Sequence, residues 1–64
     1  MNRYYIQKQV IHLIFKFNTQ IIKDIKAIPN HKYNGVNKEW HIPITLVNGD
    51  KIKELLDKWD FKED

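Results

Sequence analysis

The sequence predicts a small α+β domain in which an antiparallel sheet of about three strands carries two helices on one face, in the order β-α-β-β-α. Alternating residues from Leu13 to Phe17 predict a half-buried strand. Two apolar stripes at helical spacing predict the helices: Ile21, Ile22, Ile25 and Ile28, then Ile52, Leu55, Leu56 and Trp59. With 64 residues the chain is expected to form a single domain, 1–64.

The first strand and helix follow from local signals. Tyr4–Phe17 is rich in aromatic and β-branched residues and contains no turn signal, which favours one long strand, bulged or frayed at its start. Asn18, or its neighbour Thr19, is the expected N-cap of the first helix. Pro29 ends that helix because proline has no N–H to continue the hydrogen-bond ladder.

The middle of the chain predicts a hairpin. His31–Tyr33 and Glu39–Ile42 have the composition of short strands, and Asn34-Gly35 supplies the turn, where we expect Gly35 to adopt a positive φ. Alternation places Trp40 on one face of the sheet, with Ile42, and the two flanking polar residues on the other: Glu39 and His41.

The tail supports two interpretations. Asn48-Gly49 is a formal hairpin signal, but the helical spacing that follows favours a helix over about residues 49–60, capped by Asn48 or Asp50. We expect Glu54 to pair with Lys58, Trp59 and Phe61 to join the core, and residues 62–64 to fray.

Charge is distributed unevenly along the chain. Seven of the eleven basic residues but only two of the eight acidic ones precede residue 50, so this part carries +5 while the whole chain carries +3. A basic body with an acidic tail indicates an anionic partner. The Ile-, Lys- and Asn-rich composition supports an alternative to an anionic partner, in which the lysines are ordinary surface residues without a binding role. Cysteine is absent and no apolar run could span a bilayer, so we expect a soluble, cytoplasmic chain that uses no membrane.

The chemistry of the residues argues against an enzyme. Serine and cysteine are both absent, and there is no glycine-rich phosphate loop. Of the three histidines, His31 and His41 could meet across the hairpin, but no thiol or paired carboxylate at suitable spacing accompanies them. We therefore expect no catalytic residues, no metal and no cofactor, and we interpret the tail carboxylates as a solvated helix face.

Trp40 has two interpretations. An aromatic ring on a short strand beside lysines can stack on the bases of single strands while the lysines neutralise phosphates. Equally, a large ring in a domain with few core residues can simply be part of that core, and spacing alone favours packing.

A longer pattern carries a family resemblance. It consists of an apolar strand, a polar step, a helix ending in Ile-Pro, a basic residue followed by Tyr, a turn, and Lys-x-Trp-x-apolar. The matching segments are Leu13–Asn18, Ile21–Pro29, His31–Tyr33 and Lys38–Ile42. This stretch, about residues 12–44, resembles the HARP domain of SNF2-type annealing helicases and is similar to a domain that precedes the motor of a phage branch-migrating helicase. Asn34-Gly35 replaces the family's usual Asp-Pro turn, and Asn30 replaces its glycine after Ile-Pro.

The resemblance implies a DNA-binding module for forked, branched or single-stranded DNA, accessory to a helicase in repair or recombination, and of the kind found in phages. No motor follows, so helicase activity is not expected of this chain. The predicted DNA-contacting residues are Lys32, Lys38, Trp40, His31, Tyr33 and Lys26. A protein-interaction module, such as a phage-type inhibitor of a host protein, is the rival hypothesis. A domain that folds only against a larger chain is the third.

Overall fold

The computed structural model describes the whole chain, Met1–Asp64, as a five-stranded mixed sheet with two helices. The elements are β1 (Arg3–Gln7), β2 (Val10–Ile14), α1 (Thr19–Lys26), β3 (Lys32–Asn34), β4 (Glu39–Pro43), α2 (Leu46–Lys58) and β5 (Lys62–Glu63). The strand order is β3-β4-β2-β1-β5, and only the β1–β5 pair is parallel. The α+β class is confirmed, whereas the prediction of about three strands in the order β-α-β-β-α was an undercount.

The predicted long first strand is a hairpin of β1 and β2. Its two-residue turn is Lys8-Gln9, and both residues have positive φ, 53° and 61°. This is the backbone of a type I′ turn, which Asn-Gly normally occupies because most side chains disfavour positive φ. Lysine and glutamine give no such signal, so the sequence pattern could not reveal the turn.

The C-terminal residues pair with β1 instead of fraying. Phe61 is buried as expected, with its ring edge-on to Phe15 at a centroid distance of 5.8 Å. Because Phe61 is fixed in the core, the residues that follow it lie alongside β1. There the Asp64 N–H donates to the Tyr4 carbonyl at 2.8 Å. The expected fraying of residues 62–64 was wrong because a buried aromatic ring immediately precedes them.

Helix α1 begins and ends where its local signals predict. The Asn18 Oδ1 accepts hydrogen bonds from the N–H groups of Gln20 and Ile21, at 2.9 and 3.2 Å. The helix closes at Ala27, two residues before Pro29. Asn18 thus satisfies two of the N–H groups that every helix start leaves unpaired.

Helix α2 is confirmed, but it starts three residues earlier than predicted. Thr45 is its N-cap, and the Thr45 Oγ1 accepts from the Asn48 N–H at 3.1 Å. Asn48, an expected cap, lies inside the first turn with its side chain buried. Its amide donates to the carbonyls of Pro29 and Pro43, at 3.0 and 3.1 Å, so it ties α2 to the two proline segments.

The β3–β4 connection is a four-residue loop, 35–38. The Asn34 Oδ1 accepts from the N–H groups of Val36 and Asn37, at 3.0 and 3.3 Å, as in an Asx turn. Gly35 does not take a positive φ; Lys38 does, at 58°. The expected turn location was right, but the left-handed residue stands at the loop's end.

Both helices cover the same face of the sheet. The core combines sheet residues with residues from α1, α2 and the segments that follow them: Ile11, Leu13, Ile42, Ile21, Ile25, Ile28, Ile52, Leu55 and Phe61. The opposite face carries no helix. Neither helix has the length and apolar composition that crossing a lipid bilayer requires.

Candidate nucleic-acid interface

Trp40 stands at the edge of the helix-covered face of the sheet. In register it faces Leu13 on β2 and Tyr33 on β3. Its side chain is half-buried against the core, and the Tyr33 ring lies at a centroid distance of 5.0 Å with a 49° tilt. Trp40 therefore packs in the fold with part of its ring and leaves the rest accessible.

An open groove runs beside this tryptophan. It has a volume of about 410 Å³, and its walls are Phe15, Phe17, Ile22, Tyr33, Lys38 and Trp40, which we call the aromatic groove. Phe17 is 82% exposed and Tyr33 is 54% exposed. Two exposed aromatic rings therefore lie in the wall of a single groove.

Local backbone features set the walls of the groove. Strand β2 ends at Ile14, so Phe17 leaves the sheet just before the Asn18 cap instead of continuing the alternation into the core. Lys38 is held at the loop end by its left-handed backbone. The groove thus forms where β2, the start of α1 and the β3–β4 hairpin meet.

The groove contains three of the six residues predicted to contact DNA: Tyr33, Lys38 and Trp40. His31 lies near it, with its ring 6.2 Å from that of Trp40 and its Nδ1 2.8 Å from the Ile28 carbonyl oxygen. Lys32 faces the other side of the sheet, because it pairs in register with His41. Lys26 is exposed on α1 and does not line the groove.

Phe15, Phe17 and Ile22 also line the groove but were not among the residues predicted to contact DNA. Alternation from Leu13 places Phe15 and Phe17 on the core-facing side of the predicted strand; Phe15 does pack there, against Phe61, whereas Phe17 is exposed. The available signal was the Asn18 cap, since a strand must end before the helix that follows it and its last apolar residue is then left at the margin.

The open face of the sheet carries a second group of polar and aromatic side chains. Tyr5, His12 and His41 lie side by side across β1, β2 and β4. The Tyr5 and His12 rings stack at 4.3 Å with an interplanar angle of 5°, and the His12 and His41 rings meet edge-on at 4.2 Å. His41 thus lies beside His12 on the adjacent strand and not beside His31 across the hairpin.

Glu39 joins these side chains into one cluster. Its Oε1 accepts from the Tyr5 hydroxyl at 3.0 Å and contacts the His41 Nε2 at 3.3 Å and the His12 Nδ1 at 3.4 Å. Burial raises the pKa of Glu39, but the contacts with Tyr5, His41 and His12 outweigh it and leave the pKa below its ordinary value. The hydrogen bond from the Tyr5 hydroxyl to Glu39 raises the pKa of Tyr5, with smaller contributions from burial and from the Glu39 charge.

Comparisons with protein-family models, with curated proteins and with solved structures find no match to this chain.

Proposed function

We propose that this protein is a non-enzymatic DNA-binding module whose aromatic groove takes unpaired bases of single-stranded, forked or branched DNA. The observation that carries the proposal is the groove itself: two exposed rings, Phe17 and Tyr33, beside the half-buried Trp40, with Lys38 in the same wall. Aromatic platforms next to basic groups are the usual means of binding single strands.

The groove supplies both interactions that a single strand offers. Stacking of a base on an aromatic ring contributes about 1–3 kcal/mol and tolerates any sequence, because every base has a π-face. Lys38 would neutralise a neighbouring phosphate, which makes binding weaken as salt increases. A base in a duplex is already stacked, so the groove favours strands with unpaired bases.

The charge distribution favours an anionic partner. Residues 1–49 carry +5, and most of the acidic side chains lie in the last fifteen residues. The resemblance to HARP domains extends the proposal to a role beside a helicase that remodels forks or recombination intermediates. That helicase would be a partner of this chain.

The test is a titration of labelled single-stranded, forked and duplex DNA at several salt concentrations. We expect the single-stranded and forked DNA to bind more tightly than the duplex. The logarithm of the binding constant should fall linearly with the logarithm of the salt concentration. Phe17→Ala should weaken binding roughly tenfold through the loss of one stacking platform. Lys38→Asn should flatten the salt slope, and asparagine suits the left-handed backbone at this position.

Matched controls lie outside the groove. Val36→Ala removes a side chain that is 91% exposed on the adjacent loop, and Lys51→Gln removes a charge on α2. Val36→Ala should leave DNA affinity unchanged, and Lys51→Gln should lower it only by the small effect of one unit of net charge. If none of the three DNAs binds at low salt, or if Phe17→Ala binds as the unmodified protein does, the groove is not a DNA site.

A protein partner is the second candidate. It is favoured by exposed apolar side chains at the start of α2, Leu46 and Val47, and by the apolar character of most of the groove wall. Retention of a single protein from a nuclease-treated extract, lost in Phe17→Ala or in Leu46→Ser, would support this candidate. Retention that disappears after nuclease treatment would support the nucleic-acid proposal.

A further inference from the structure

The open face of the sheet, on the side away from the aromatic groove, brings together the donor set of a transition-metal site. We propose that His12, Glu39 and His41 bind one divalent transition-metal ion, with Zn²⁺ as the ion to test. Two imidazoles and one carboxylate are a recurring protein donor set for zinc. The proposal does not depend on DNA binding, because none of the three residues lines the groove.

The distances suit a shared ion. The Glu39 Oε1 lies 3.3 Å from the His41 Nε2 and 3.4 Å from the His12 Nδ1. Zinc bonds of about 2.0–2.1 Å at a tetrahedral angle separate neighbouring ligand atoms by about 3.3–3.4 Å. One ligand atom from each of the three side chains lies within 4.8 Å of the other two, so small ring rotations complete the site.

His12 provides an independent observation. Its Nδ1 is buried and makes no hydrogen bond, because the contact with Glu39 at 3.4 Å lacks hydrogen-bond geometry. A buried polar nitrogen without a partner destabilises the fold, because it loses its hydrogen bonds to water and gains none in return. The stacked Tyr5 ring holds the imidazole in place, so this unpaired atom stays inside the cluster. A bound ion would satisfy it.

Tyr5 is a positioning residue for this site. Its hydroxyl donates to the Glu39 Oε1 at 3.0 Å, and its ring orients His12. Hydrogen bonds from neighbouring groups commonly fix the orientation of metal-binding side chains, and their loss typically lowers affinity by about 10- to 100-fold. Tyr5 therefore links the carboxylate and one imidazole without itself contacting the ion.

The donor set predicts which ions bind. Imidazole nitrogens favour zinc, copper, nickel and cobalt, whereas calcium and magnesium require mostly oxygen ligands. The side chain of His41 remains 24% exposed, so water can complete the coordination from that side. Lys32, the register partner of His41, is an exposed cation on this face, and solvent screens its repulsion.

The experiment uses the untagged full chain in metal-free buffer with Zn²⁺ alone as the probe. We expect one equivalent of Zn²⁺ to bind by calorimetry and to raise the melting temperature, since an ion that binds only the folded state stabilises it. In imidazole ¹⁵N spectra, the rings of His12 and His41 should shift and the ring of His31 should not. Mg²⁺ at the same concentration should change neither readout.

Variants separate this site from incidental binding. Glu39→Gln and His41→Ala should each lower Zn²⁺ affinity at least tenfold, and Tyr5→Phe should lower it by about tenfold. His31→Gln is the matched control and should bind as the unmodified protein does. If His41→Ala does not fold, the ¹⁵N shifts and Glu39→Gln decide the question. Absence of binding, a shift of the His31 ring alone, or equal losses in His31→Gln and Glu39→Gln would overturn the proposal.

Discussion

Trp59, at the end of α2, donates a hydrogen bond from its indole Nε1 to the Asp24 Oδ2 of α1 at 2.8 Å. The Lys58 Nζ donates to the same oxygen at 2.9 Å. The hydrogen bond from Lys58, and to a lesser extent that from Trp59, holds the pKa of Asp24 below its ordinary value. Burial acts in the opposite direction, but its effect is smaller. Lys58 was expected to pair with Glu54 on its own helix; it joins the two helices instead.

The first prediction concerns acid stability. Because Asp24 has a lowered pKa in the folded state, its contribution is complete above the unfolded pKa of about 4 and is lost as the pH falls through the folded value. Asp24→Asn should lower the free energy of unfolding at neutral pH by about 1 kcal/mol. Its effect should shrink below about pH 4. Chemical denaturation at a series of pH values from 7 to 2 measures the loss at neutral pH and its decrease at low pH.

The control for this prediction is Asp57→Asn, which alters an exposed carboxylate that forms no ion pair. It should leave the pH dependence of stability close to that of the unmodified protein. If Asp24→Asn and Asp57→Asn show the same pH profile, the contacts of Asp24 with Lys58 and Trp59 contribute nothing measurable.

The second prediction concerns the buried amide of Asn48. Asn48→Ala leaves the carbonyls of Pro29 and Pro43 without their donor, and we expect the free energy of unfolding to fall by about 2–3 kcal/mol. Urea denaturation measures the change. Asn37→Ala, at an exposed loop position, should stay within about 0.5 kcal/mol of the unmodified protein. Equal effects at the two positions would contradict the bridging role.

The third prediction concerns the β1–β2 turn. Replacing Lys8 by Asn and Gln9 by Gly gives the turn the residues that its positive φ angles favour. The double variant should gain about 1–2 kcal/mol in free energy of unfolding. Lys23→Gly serves as the opposite control, because glycine at this exposed position in the middle of α1 should destabilise by about 0.5–1 kcal/mol. A double variant no more stable than the original would mean that the turn differs from the one described.

The fourth prediction concerns Gly49 in α2. A Cβ built at this position meets no atom within 4 Å outside the adjoining residues and the backbone of its own helix, so alanine fits without displacing a neighbour. Gly49→Ala should raise the free energy of unfolding by about 0.5–1 kcal/mol, because alanine loses less conformational entropy in a helix. The thermal midpoint should rise accordingly, and a fall would indicate that the first turn of α2 is not helical in solution.

The fifth prediction separates the two roles of Trp40. Trp40→Ala removes a half-buried ring from the core margin and should destabilise the domain by about 2 kcal/mol. Trp40→Phe should keep most of that stability and much of the stacking surface. Denaturation of the two variants measures the packing role of the ring, and DNA titration measures its stacking role. If Trp40→Ala is as stable as the original protein but still binds DNA fully, neither role is correct.

Elements with strong local signals were predictable from sequence. The Asn18 cap, the proline stop after α1 and the alternation along β4 depend on residues close in the chain, and local preference decided them. The β1–β2 turn and strand β5 were not predictable. Lys8 and Gln9 adopt an unfavourable backbone because strand pairing requires it, and β5 forms because the buried Phe61 ring places the chain end beside β1.

The same division applies to the two candidate sites. The class of the fold, the faces of β4 and the closeness of Trp40 to Lys38 follow from residue patterns along the chain. That Phe17 completes a groove with them, and that His12 meets Glu39 and His41, depends on how distant segments pack together. Both outcomes depend on the register between β2 and β4, in which Leu13 faces Trp40 and His12 faces His41. That register is set by the packing of the shared core, which no short stretch of the chain encodes.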